Sequence, residues 1–509
     1  MSIRYFPFSI LFVSLLLSAC HERTVSPNEN LELSDIAPLQ REEYRIDASS
    51  VRSHLSVLAE TDNGALGANG FTRTYYAEKN PLLWINRIGV DERADSLVAV
   101  LRHVEEMGFD ADVFRVNQIE RDLNRVRTLN FSEEHTVNQV MARLEYNLTR
   151  AYLGYTSGQR FGYVNPEYVL NRLDSAEGDS TRKRFRRLYG VPMRHADNAF
   201  FTGAIRRIQK DSLSDFLRES RPSDPLYYTL LKRFNTPEAS AEERKALLCN
   251  MERCRWNLLE RPKDYKRYVL VNIPNFYLYA VDEDKTISMR VGCGTNKTKT
   301  PLLTSKINLI QLNPKWVMPG SIVKKDVLHH VGDADYFNRH NYYIYNTKTG
   351  ERVSVDEVTH EMLLAKEYKV AQEGGRGNAL GRIIFRFPND FSVYLHHTST
   401  PGFFSRDERG VSHGCVRVEE PFELAKFLLK DKDEEFLSRL YYSMTTDLES
   451  PNLKRSKLLN SVNVSPEVPL FICYYTVYPD STGTLRFYRD VYGYDSVIYD
   501  RLEWRLKKR

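Results

Sequence analysis

Hydrophobic positions recur along this chain with two different periods. Between residues 46 and 262 they follow the spacing of amphipathic helices. Leu97, Val100, Leu101, Val104 and Met107 form one stripe with Gly108 as a stop, and Val137, Val140, Met141, Leu144, Leu148, Ala151 and Tyr152 repeat it over four turns. From Tyr268 the period becomes two. Val269, Val271 and Ile273 alternate with Tyr268, Leu270 and Asn272; Ile287, Met289 and Val291 alternate with Thr286, Ser288 and Arg290. Residues 383–387 and 391–396 flank Pro388-Asn389-Asp390, whose proline suits the first corner of a turn. One helix interrupts the strands. Pro421 fits its first turn, Glu419, Glu420 and Glu423 suit its positive end, and Lys430 its negative end. The pattern predicts an α+β protein, with a helical N-terminal scaffold region followed by a mostly antiparallel β-sandwich or barrel.

The N-terminus has its own signature. Arg4 precedes a mostly apolar run of twelve residues, 6–17. A membrane-spanning helix needs about twenty, so residues 1–19 read as a secretory signal peptide. Leu17-Ser18-Ala19-Cys20 resembles the lipobox of bacterial lipoproteins, which implies cleavage before Cys20 and its acylation; plain secretion is the alternative. Residues 20–45 are polar and proline-containing, a linker. The five remaining cysteines are an odd number in an oxidising envelope. Cys249 and Cys254, five apart on a helix, suit a core better than a bridge. The net charge of +5 (72 − 67) is spread out, with no basic run to bind nucleic acid.

Chemistry gathers in one stretch: Tyr394-Leu395-His396-His397-Thr398, a loop, then Val411-Ser412-His413-Gly414-Cys415-Val416-Arg417-Val418. A thiol attacks well only as thiolate, and an imidazole in reach lowers its pKa and takes its proton. His396 ends one predicted strand and Cys415 begins the next, and the loop can fold them side by side. The amides of Gly414 and Cys415 suit a developing oxyanion. Arg417, two residues beyond Cys415 on a strand, shares its face and suits a carboxylate.

This constellation resembles the L,D-transpeptidase family with the YkuD-type catalytic domain, whose signature is a His followed some fifteen residues later by Ser/Thr-His-Gly-Cys. Here fifteen residues, 397–411, separate His396 from Ser412-His413-Gly414-Cys415. Further blocks are similar to the large YcbB-type branch. They are Asn250-Met-Glu-Arg-Cys-Arg-Trp256, residues 268–278, Asn313-Pro-Lys-Trp316, Asn378-Ala-Leu-Gly381 and Asp490-Val-Tyr-Gly-Tyr-Asp495. Weaker likeness to that branch's scaffold runs through 75–84 and 151–166.

The resemblance implies an enzyme of peptidoglycan stem peptides. Cys415 would attack the carbonyl of the L-centre of the third-position diamino acid, the terminal D-alanine would leave, and a neighbouring stem's amine would take the acyl group in a 3→3 cross-link. His396 would be the proton donor and acceptor, His413 would shape the site, and Gly414 and Cys415 would form the oxyanion hole. Arg417, Ser412, Trp316 and Asn378 would contact substrate. No metal or organic cofactor is required, and carbapenems would acylate Cys415. The implied layout is a scaffold over 46–262, a catalytic domain over 263–445 with a lid at about 323–380, and a C-terminal extension, 446–509, packing on the scaffold. A lipid-anchored periplasmic protein is expected, with the outer membrane as its site. Two features depart from the branch. Only nineteen residues, 232–250, lie between Leu231 and Met251, so the branch's peptidoglycan-binding insertion is read as missing. His397 follows the base where the branch often has an acidic residue, which leaves the group that orients His396 open.

Other signals fall away. His360-Glu361 lacks the second His of a zinc-protease motif, since position 364 is Leu364. The glycines of 374–381 lead into a strand and read as a turn, and His329, His330 and His340 read as a solvated loop. Cys293 and Cys473 read as packed strand residues. Two competitors stay open: an L,D-carboxypeptidase using the same Cys with water as acceptor, and a non-catalytic wall-binding scaffold.

Overall fold

The structure, a computed structural model, describes residues 44–64, 67–86, 89–175 and 184–507. The expected signal peptide, Cys20 and nearly all of the linker lie outside the described residues. The chain divides into two compact units, Met1–Ala99 with Arg115–Ala151, and Val100–Phe114 with Tyr152–Arg509.

The described part of the first unit is mostly helical. Asp47 caps the helix Ala48–Thr61 by accepting from the Ser50 amide. Val51, Leu55 and Ala59 from that helix meet Tyr76, Ile85, Val137, Met141 and Tyr146 in one core. Within it, the fully buried carboxylate of Glu145 accepts from the amides of Leu83 (2.6 Å), Trp84 (2.9 Å) and Ile85 (3.1 Å) and from the Tyr76 hydroxyl (2.7 Å). Burial pushes its pKa up while these donors pull it down. A buried carboxylate is costly unless its lone pairs are met, and here four donors meet them.

The second unit is built on a ten-stranded sheet. Its strands are β1 (Tyr189–Gly190), β2 (Arg267–Asn272), β3 (Tyr277–Asp282), β4 (Lys285–Gly294), β5 (Leu302–Leu312), β6 (Ile383–Arg386), β7 (Leu395–His396), β8 (Gly410–Ser412), β9 (Val416–Val418) and β10 (Ser461–Cys473). The order is β6-β7-β9-β4-β3-β2-β10-β5-β1, with β8 beside β4, and a further β6–β5 pairing closes the sheet on itself. Most pairings are antiparallel, as the alternation predicts, and four are parallel: β7/β9, β8/β4, β10/β2 and β1/β5. Closure buries both faces in places. Leu270 and Asn272, expected on the outer face of β2, are as buried as Val269 and Val271, and the Asn272 side chain pairs with the backbone of Tyr475.

The expected C-terminal extension enters the sheet itself. β10 lies between β2 and β5, and its run Val468–Pro469–Leu470–Phe471–Ile472 is wholly buried. Each fully buried aliphatic or aromatic side chain contributes roughly 1.5–3 kcal/mol, so this strand is part of the barrel's core. The following helix, Tyr494–Leu502, does pack on the helix Ala241–Arg255, through an Arg253–Asp495 ion pair of 2.6 Å. Cys249 and Cys254 are buried on the latter helix as free thiols. The charges expected at the ends of the helix Pro421–Leu428 are used elsewhere: Glu419 pairs with Arg290, and Lys430 with Asp282 at 2.9 Å. Strand-borne partners outcompete the weaker attraction of a helix end.

Between β5 and β6 the chain forms a lid with its own small sheet, ordered Trp316–Val317, Tyr368–Gln372, Tyr342–Asn346, Arg352–Val353. It packs on Met318, Val327, Phe337, Ile344 and Val370. The lid thus begins a few residues before the expected 323. His330 stacks on Tyr336 at 3.7 Å, and His340 Nδ1 lies 2.8 Å from the Tyr336 carbonyl. Among the described residues no helix is long and apolar enough to cross a membrane.

Candidate active site

Parallel strands need a crossover of a dozen or more residues. The segment between His396 and Val416 supplies it, through a turn at Pro401–Ser405 and β8, and returns β9 alongside β7. In that register Leu395 faces Val416 and His396 faces Arg417. Leu395 and Val416 point into the core, both 0% exposed. Alternation places His396 and Arg417 on the opposite face. Cys415 immediately precedes β9, with the Arg417 charge near enough to act on both Cys415 and His396. Among the described residues no hydrogen bond joins Cys415 Sγ to the imidazole; such bonds commonly tighten only when substrate is bound.

The structure answers what orients His396. Its Nδ1 lies 2.5 Å from the carbonyl of His397. A carbonyl only accepts, so Nδ1 carries the proton and Nε2 keeps its lone pair, the tautomer a general base requires. Burial and the nearby Arg417 lower the His396 pKa to about 4, and burial raises that of Cys415 against the opposing pull of the Tyr394 amide and Arg417. Burial thus favours the neutral form of both groups.

The loop before Cys415 differs in part from expectation. Gly414 adopts φ +123°, which favours glycine. Its amide donates to Ser412 Oγ at 3.0 Å, and Ser412 Oγ donates to the Cys415 carbonyl at 2.5 Å. The Gly414 N–H is thus engaged and not an open oxyanion donor, whereas the Cys415 N–H has no partner among the described residues. Ser412, 3% exposed, orders the loop through these two bonds. Asn378 donates to the Pro314 and Glu373 carbonyls and accepts from the Leu380 amide. Trp316 sits in the lid sheet against Tyr342, 6.3 Å between ring centres. His413 reaches the lid, with Nε2 3.5 Å from Asp326. Arg417 stays open: its Nε is buried without a partner, and its guanidinium lies 5.7 Å from the Phe403 ring centre.

Sequence reasoning missed the brace beneath this loop, the segment from Gly294 to Thr300. Thr298 Oγ1 donates to the Ser412 carbonyl (2.7 Å) and Thr300 Oγ1 to the Gly414 carbonyl (2.9 Å). A Cβ at Gly294 would sit 2.0 Å from the Thr298 carbonyl oxygen, so only glycine closes this turn. Tyr492, inside the Asp490–Asp495 block, holds the turn from behind. The glycine between two strands and the tyrosine-rich block were the available signals.

Comparison with known proteins agrees with this architecture. Residues 266–436 match the YkuD family, described as the L,D-transpeptidase catalytic domain, and residues 70–233 match the Scaffold domain family. The chain thus carries a YkuD L,D-transpeptidase catalytic domain joined to a Scaffold domain, the YcbB-like architecture. A protein of Haemophilus influenzae named "Putative L,D-transpeptidase" is 29% identical over 309 residues, 59% of this chain and 59% of that protein's length. A solved L,D-transpeptidase from Mycobacterium smegmatis is similar at 12% identity over 41% of this chain and 58% of that one, with a TM-score of 0.20.

Proposed function

We propose that this protein is a peptidoglycan L,D-transpeptidase that forms 3→3 cross-links through an acyl-enzyme on Cys415. The carrying observation is the β7/β9 register, which sets His396 opposite Arg417, with Cys415 at the head of β9. Arg417 holds a carboxylate of the donor stem. His396 Nε2 takes the thiol proton as Sγ attacks the carbonyl carbon, and the Cys415 N–H receives the developing oxyanion. Collapse breaks the C–N bond, His396 returns the proton to the departing D-alanine amine, and a thioester remains. An acceptor amine then attacks, passes its proton to His396, and releases Cys415. The lid, touching His413 through Asp326, suits a reaction in which water must not precede the amine. Carbapenems acylate the same sulfur. The chain works in the periplasm, tethered through acylated Cys20 to the outer membrane.

The test is incubation of the purified protein with tetrapeptide stems, with products resolved by mass. Cross-linked dimers with free D-alanine are expected. Tripeptide alone would make the protein a carboxypeptidase, and no D-alanine release would leave a non-catalytic scaffold.

A further inference from the structure

The peptide unit between Gly414 and Cys415 carries both a fixed carbonyl and the open amide. A trans peptide holds its C=O and N–H in one plane, pointing opposite ways. Thr300 Oγ1 donates to the Gly414 carbonyl at 2.9 Å and accepts from the Gly294 amide at 2.8 Å. The Thr300 amide in turn donates to the Tyr492 hydroxyl at 3.1 Å, and that hydroxyl donates to the Gly294 carbonyl at 2.7 Å. The Tyr492 amide donates to Tyr474 Oη at 2.8 Å, and Tyr474 donates to Asp490 at 2.6 Å. Thr300 is wholly buried, and Tyr492 and Tyr474 are nearly so. Each bond in such a chain polarises the next.

We propose that Thr300 is a positioning residue that aims and polarises the Cys415 N–H as the oxyanion donor, with Tyr492 holding Thr300 in place. The inference rests on the acyl-transfer reading of Cys415. With the Gly414 amide engaged by Ser412, the orientation of this one peptide decides whether an N–H meets the oxyanion. A hydrogen bond to the Gly414 carbonyl draws electron density toward that oxygen and makes the N–H of the same amide a stronger donor. The C-terminal segment thereby acts on the reaction without touching substrate.

The experiment compares the wild type with Thr300→Val, Thr300→Ser and Tyr492→Phe. It measures kcat and KM for D-alanine release from tetrapeptide stems, and the rate at which iodoacetamide alkylates Cys415. Alkylation uses the thiol but forms no oxyanion. Thr300→Val should lower kcat about 10–100-fold, below the effect of deleting an oxyanion donor outright, with KM within about twofold. The ratio of acylation to alkylation should fall at least about tenfold. Thr300→Ser should recover most of the loss, and Tyr492→Phe should lower kcat several-fold, again at constant KM. A Thr300→Val enzyme with kcat within twofold of wild type overturns the proposal. So does a Thr300→Ser enzyme as impaired as Thr300→Val, or an equal loss of alkylation. Should Thr300→Val fail to fold, Tyr492→Phe decides: an unchanged kcat overturns the proposal. A wild type that alkylates at Cys415 yet releases no D-alanine would instead remove the acyl-transfer reading beneath it.

Discussion

Two buried polar clusters, one in each unit, are treated in opposite ways. Around Glu145 every lone pair is met, by three amides and a hydroxyl, and the group is locked. Around Cys415 the side chains are less deeply buried and the bonding is incomplete. Among the described residues the Arg417 Nε and the Cys415 amide have no partner, and burial favours the neutral thiol and imidazole. A protein satisfies buried groups where it needs stability. It leaves them short where a substrate is to supply the missing partner.

Substitutions can break this comparison. Cys415→Ala should abolish D-alanine release, a loss of at least ~10⁴-fold, with melting temperature little changed; substantial residual turnover would move the nucleophile elsewhere. His396→Ala should cost more than the ~10²–10⁴ of ordinary acid–base assistance, because it also removes thiolate activation; a mild effect would point to His413 or His397 as the base. In the wild type the acid limb of kcat/KM should lie near pH 4, since the lowered pKa keeps Nε2 unprotonated down to that value. A limb near the ordinary histidine value would show a solvated imidazole instead. Glu145→Ala should act in the other direction. Leaving its donors unpaired should cost about 3 kcal/mol or more of stability, read as a lower denaturation midpoint, while turnover per folded molecule stays near wild type. Arg417→Gln should reduce kcat/KM roughly 10–100-fold through a lost charge-assisted bond to substrate, with stability unchanged or raised because a buried unpaired charge is removed. The smallest effect belongs to Ser412→Ala. Losing two loop bonds should cost about 1–2 kcal/mol, and kcat should fall less than for His396→Ala.

Much of this arrangement is legible residue by residue. The period-two runs near 269 and 383 identify barrel strands because one face of each must be apolar. The fifteen-residue gap before Ser412 is the length a parallel crossover needs, so motif spacing and sheet topology are one fact. Ile287, by contrast, alternates correctly with Met289 yet is 37% exposed, because β4 runs past the edge of the core before its inward residues begin. The bracing of Gly414 by Thr300 joins positions 114 apart in the chain, and no local pattern announces such a partner.

From sequence alone, local chemistry and periodicity determined the helix-then-barrel order and the Cys–His–Arg constellation. These depend on side-chain type and on spacings shorter than one supersecondary unit. Only the tertiary structure decided that residues 461–473 lie inside the sheet, that a backbone carbonyl orients His396, that the Gly414 amide is taken, and that burial raises the thiol's pKa. Each depends on which distant groups share a buried volume, and burial sets both hydrogen-bond partners and proton affinity.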